Sequence, residues 1–137
     1  MDGKIKVLIL DDERCHQETA EKAIKEDEKF CAIAPDVIMI CKSAEKGDLV
    51  KFVDSLMEKY NPHIVLTDIQ YGRDEMAGFD ISSNISKKYP SVKVVGMTSS
   101  AYAYSNEVKA SGMMSLLNKI YKFEENLIST LNMCLEK

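Results

Sequence analysis

Short apolar runs alternate along the chain with longer stretches in which apolar residues recur every three or four positions. Five runs read as strands: Lys4 to Leu10, Val37 to Cys41, His63 to Asp68, Val92 to Met97 and Met113 to Leu117. Pro35 opens the second, and Asn61-Pro62 introduces the third. The stretches between read as helices. The first runs from about Glu13 to Lys29 with Ala20, Ala23 and Ile24 inward. The second follows Ser43 as N-cap and carries Leu49, Phe52, Val53, Leu56 and Tyr60 on one stripe. Ile81 and Ile85 mark a short third helix ending near Tyr89-Pro90. A fourth passes through Tyr102, Tyr104 and Val108 to Gly112 at C′. The last carries Phe123, Leu127, Leu131, Cys134 and Leu135. Ile69 to Gly78 mixes polar and flexible residues and reads as a loop.

Near-continuous apolar strands joined by helical crossovers require a parallel sheet covered on both faces. Right-handed connections then lead to an α/β doubly wound sheet, a flavodoxin-like three-layer sandwich with expected strand order 2-1-3-4-5. Ligands of such sheets bind beyond the carboxyl ends of the strands, where strands one and three part. At that edge the sequence places Asp11 and Asp12 after strand one, Asp68 after strand three, Thr98 after strand four and Lys119 after strand five. Carboxylates crowded together resist ionisation unless a cation intervenes. Mg²⁺, a hard ion that takes oxygen ligands and keeps several waters, suits the set better than calcium, for which no oxygen-rich loop is present.

A carboxylate can also attack phosphorus to form an acyl phosphate. Asp68, alone at the tip of the central strand, is the candidate nucleophile. Asp11 and Asp12 are candidate metal holders with Asp68, and the backbone carbonyl of Gln70 is placed to complete the coordination. Lys119 would neutralise charge on the phosphoryl oxygens, and Thr98 would donate a hydrogen bond to one of them.

Composition narrows the function classes. A length of 137 residues suits one domain, residues 1–137, without staples. The formal net charge is −4 and no Lys/Arg run stands out, which argues against direct nucleic-acid binding. The four cysteines are scattered without a C-x-x-C pair and read as buried, reduced thiols. His16 and His63 have no ligand partner at metal spacing and read as solvated or structural. No signal peptide or membrane-length apolar segment is found, so a cytoplasmic protein is expected.

The residues Asp11-Asp12, Asp68, Thr98 and Lys119, in that order at the ends of four strands, resemble the response-regulator receiver domain of two-component signalling. The resemblance covers essentially the whole chain. It implies that Asp68 is the phosphoacceptor, that Asp11 and Asp12 belong to a magnesium site, and that Thr98 and Lys119 contact the phosphoryl group. It implies a histidine kinase or phosphotransfer protein as donor and a protein effector as output. It also admits a dimer formed on phosphorylation, and implies no enzymatic activity beyond the domain's own phosphorylation and hydrolysis. Small Ser99 leaves room for the phosphoryl group. Three positions depart from the family's pattern. The stretch from Asp68 to Met76-Ala77-Gly78 is longer than usual and lacks a Met-Pro pair. Ile120 stands where the family has a cis proline, so a trans peptide is expected. Leu116 stands where the family has an aromatic switch residue. Two other readings stay open: a receiver-like interaction module not regulated by phosphorylation, and an aspartate-nucleophile phosphatase. The latter lacks its Asp-x-Asp pair here.

Overall fold

The computed structural model describes residues 3–37, 48–71, 76–99 and 104–136. Its elements run β1 (Ile5–Leu10), α1 (Arg14–Lys25), β2 (Phe30–Ile33), α2 (Asp48–Tyr60), β3 (Ile64–Asp68), α3 (Ala77–Lys88), β4 (Lys93–Thr98), α4 (Ser105–Ala110), β5 (Ser115–Asn118) and α5 (Phe123–Cys134). The five strands form one parallel sheet in the expected order β2-β1-β3-β4-β5.

Alternation along the strands builds two cores. Val7, Ile9, Ile64, Leu66, Val95, Met97 and Leu117 face one way, against Ala20 and Ile24 of α1 and Leu127, Leu131 and Cys134 of α5. Leu8, Leu10, Val65 and Val94 face the other way, against Val53, Leu56 and Met57 of α2 and Phe79, Ile81 and Ile85 of α3. Side chains at i and i+2 share a face, so a strand buried on both sides must be apolar throughout. Each such side chain contributes about 1.5–3 kcal/mol of burial.

The second strand is not where the apolar run predicted it. It is Phe30–Ile33, paired with β1 in the register Ile5–Phe30 to Leu8–Ile33. Helix α1 ends at Lys25, and the chain turns through Glu26–Lys29, earlier than expected. Of the expected run, Val37 is buried but outside any strand, and Ile38–Cys41 lie outside the described residues, as does the proposed N-cap Ser43. Gln17, a buried polar residue of α1, pins this crossover: its amide donates to the carbonyls of Ile9 (3.0 Å) and Pro35 (2.8 Å). Of the cysteines, Cys134 is buried, but Cys15 and Cys31 are free and exposed, contrary to expectation; Cys41 is outside the described residues. On α1, Ala20 and Ile24 are inside while Ala23 is only half-buried.

The stretch after β3 is less of a loop than its composition implied. Ile69 and Tyr71 are buried, and α3 already begins at Ala77, so Gly78 is helical. The Tyr71 hydroxyl donates to the Leu10 carbonyl at 2.7 Å and lies 2.7 Å from Thr67 Oγ1, joining the ends of β1 and β3. Gly78 donates from its amide to the Ile69 carbonyl at 2.8 Å. A Cβ there would lie 2.2 Å from the Asp68 carbonyl oxygen, so α3 presses directly on the backbone of the strand tip. Helix α4 is short and begins after Tyr104; Tyr102 lies outside the described residues. Gly112 takes φ +74°, the left-handed conformation that closes a helix.

Candidate functional site

The rows that fill the α1/α5 core end in charge. Val7 and Ile9 lead to Asp11, Ile64 and Leu66 lead to Asp68, and Leu117 leads to Lys119. The β1–β3 register ends with Leu10 opposite Thr67, which leaves Asp11 and Asp68 as the next pair outward. The period-two rule that makes the core therefore also delivers two acids and an ammonium to one pocket.

Lys119 Nζ lies 2.9 Å from Asp11 Oδ2 and 3.0 Å from Asp68 Oδ2, with all three side chains nearly inaccessible. Each carboxylate is anchored through its other oxygen. Asp11 Oδ1 accepts from the Glu13 amide at 2.9 Å, and Asp68 Oδ1 accepts from the Ile69 amide at 2.8 Å. Asp11 thus shapes the turn into α1 and faces the pocket at once. Its Oδ2 is buried and lacks an aligned hydrogen bond; its contact with Lys119 is an ion pair.

Asp12 is half-buried beside them, and Asp11, Asp12 and Asp68 each offer a carboxylate oxygen within 4.8 Å of the other two. Three carboxylates against one ammonium leave a formal charge of minus two, with oxygen donors of the kind a hard divalent ion takes. The residues present fit such an ion: three carboxylate oxygens within 4.8 Å of one another face a single ammonium.

Burial, first, and then the Asp11 charge push the Asp68 carboxyl up to about 7, against the pull of Lys119. Burial also raises Asp11. Lys119 is itself buried, which favours losing its proton, but the charges of Asp68 and Asp11 outweigh that and hold it above its ordinary value.

Thr98 ends β4, buried, and its carbonyl accepts from the Lys119 amide at 2.9 Å, so it positions the lysine's backbone. Since α4 starts seven residues later, Thr98 does not cap it. Gln70 follows Asp68 by two residues with its side chain exposed. The Lys119–Ile120 peptide is trans, as expected. Asn118 organises the turn in place of proline: its side-chain oxygen accepts from the amides of Ile120 (2.8 Å) and Tyr121 (3.1 Å). Leu116, together with Met113 and Ile69, fills the space that Gly96 leaves by having no side chain.

One site residue escaped the sequence reading. His16, in the first turn of α1, places Nδ1 3.1 Å from Lys119 Nζ, with Glu13 and Cys15 close by. Its position five residues after Asp11, on the helix that covers this core, was the available signal.

No protein-family model matches the chain. It is 27% identical over 94 residues to the transcriptional regulatory protein DegU of Brevibacillus brevis, and spans about a third of that protein's length. A chemotaxis response regulator of Vibrio cholerae superposes with a TM-score of 0.74 at 17% identity, covering 96% of this chain and 99% of that one. A DNA-binding response regulator of the LuxR family from Staphylococcus aureus gives 0.70 at 23% identity, covering 95% and 98%. Among the described residues no helix is long and apolar enough to cross a membrane. Sheet order, crossovers and these likenesses together identify the chain as having the fold of a response-regulator receiver domain.

Proposed function

We propose that the chain is a phosphorylation switch of a two-component system, with Asp68 as phosphoacceptor. The observation that carries this reading is the setting of Asp68: a buried carboxylate at the tip of the central strand, 3.0 Å from Lys119 and clustered with Asp11 and Asp12. Asp11, Asp12, Asp68 and the carbonyl of Gln70 would hold Mg²⁺. When bound, that ion supplies positive charge to the phosphoryl oxygens and keeps Asp68 ionised.

The chain's own residues do the rest. The Ile69 amide and Lys119 fix the orientation of the Asp68 carboxylate. Asp68 attacks the phosphorus of a phosphohistidine on a histidine kinase or phosphotransfer protein. An O–P bond forms as the P–N bond breaks, and the departing imidazole takes the electron pair and a proton. Lys119 then turns from the carboxylate toward a phosphoryl oxygen, and Thr98 donates to another. The rearranged stretch after β3 and helix α4 change a protein-binding face read by an effector or by a second copy of the chain. The setting for such a relay is the cytoplasm.

A second reading, an interaction module with this fold that works without phosphorylation, is favoured by Leu116: it packs inward over Gly96 and offers no ring to move with Thr98. One experiment separates the two. Incubation with acetyl phosphate and Mg²⁺, followed by intact mass measurement, is expected to add one phosphoryl group to the wild type and none to Asp68→Asn. Absence of an adduct on the wild type sinks the switch and leaves the module.

A further inference from the structure

Lys119 reaches the acids from a turn with no proline to shape it, and its third side-chain neighbour comes from across the pocket. That neighbour is His16 of α1, with Nδ1 3.1 Å from Nζ. An ammonium has only hydrogens to offer, so the imidazole nitrogen facing it must accept; Nδ1 carries the lone pair and Nε2 the hydrogen. The other groups near Nδ1, Asp11 Oδ2 at 3.7 Å and Glu13 Oε2 at 3.8 Å, lie beyond hydrogen-bond reach.

We propose that His16 is a positioning residue, whose Nδ1 keeps the Lys119 ammonium over Asp68 after the carboxylate has become an acyl phosphate. The inference rests on the reading of Asp68 as phosphoacceptor. Before transfer, Lys119 is held by two carboxylates, Asp11 at the floor of the pocket and Asp68 beside it. Phosphorylation removes the carboxylate charge of Asp68 and places negative charge further out, on the phosphoryl oxygens. Asp11, wholly buried, still holds the ammonium from the floor of the pocket, so Lys119 is then shared between it and the phosphoryl oxygens. The His16 side chain is 38% exposed and so stands nearer the mouth than Asp11; its Nδ1 holds the ammonium from the side with a contact that phosphorylation does not consume. Asn118 and the Thr98 carbonyl set the lysine's backbone, while His16 sets its tip.

The test compares wild type, His16→Ala and His16→Gln with acetyl phosphate and Mg²⁺, following adduct formation by intact mass. Loss of a charge-assisted hydrogen bond is expected to slow His16→Ala about tenfold at saturating donor. The Mg²⁺ dependence should stay unchanged because no carboxylate is altered. His16→Gln restores an accepting oxygen and should recover most of the rate; a purely structural role would slow both variants alike and lower their thermal midpoints. A separate reading uses ¹⁵N spectra of the neutral imidazole. The wild type should show Nδ1 unprotonated, and Lys119→Met should release His16 to a mixture of tautomers. A wild-type rate in His16→Ala, or a tautomer indifferent to Lys119→Met, overturns the proposal. A wild type that forms no adduct overturns the phosphoacceptor reading and this purpose with it, while the spectra still decide the contact.

Discussion

Both buried acids are built alike: one oxygen is fixed on a backbone amide and the other turned to the pocket. The anchor leaves each carboxylate one orientation; the Ile69 amide shares its hydrogen between Asp68 and the Met97 carbonyl at 3.2 Å. The burden falls on ionisation. Asp68 titrates at about 7 in the folded chain against 3.8 for an ordinary aspartate. Between those values the native state keeps a proton that the unfolded chain has released, so this group's contribution to stability falls as pH rises, and the loss is complete above about 7. Metal-free Asp68→Asn is therefore expected to be more stable than wild type at neutral pH. The gain should be on the order of a few kcal/mol and vanish toward about pH 4. Urea unfolding at several pH values in a chelator checks this; parallel wild-type and variant curves would contradict it.

At the scale of elements, the decisive contact is α3 against the tip of β3. Gly78 is where the two backbones meet, and a methyl group there would collide with the Asp68 carbonyl at 2.2 Å. The obstacle is main chain on both sides, with no flexible side chain to yield. Gly78→Ala should cost about 2–4 kcal/mol by thermal unfolding and weaken Mg²⁺ binding as Asp68 shifts. The requirement is not visible in the sequence, where Met76-Ala77-Gly78 read as the end of a loop. Tyr71 was hidden for the same reason, although the spacing of Ile69 and Tyr71 at i and i+2 is that of a buried extended segment. The second strand was misplaced because the edge position asks little of its residues: Phe30 is buried, but Cys31 is exposed and Ala32 and Ile33 are half-buried. The β-branched run at Val37 to Ile40 had the stronger pattern and drew the assignment. The three inner strands had no such rival, since burial on both faces leaves only apolar residues acceptable.

For the molecule as a whole, strand order and the meeting of Asp11, Asp68 and Lys119 followed from alternation and handedness, both of which are written in the sequence. The Lys119–His16 contact was not, because it depends on where one helix face lies over the sheet. A pocket left at minus two gives a divalent cation leverage on the entire fold. Mg²⁺ at a hundredfold excess over its dissociation constant should add about 2.7 kcal/mol of stability. Because Asp68 must lose its proton to serve as a ligand, affinity should rise with pH up to about 7 and level off beyond. Calorimetric melting with and without Mg²⁺ across that interval measures both; a pH-independent shift would remove Asp68 from the ligand set. The lysine directly follows β5, an edge strand, whereas the acids belong to the ends of interior neighbours β1 and β3. Whatever alters the acids' demand for a counter-charge must therefore loosen or tighten an edge of the sheet. Amide exchange at Leu116 to Asn118 would register events in the pocket as a change in how long that border stays fastened.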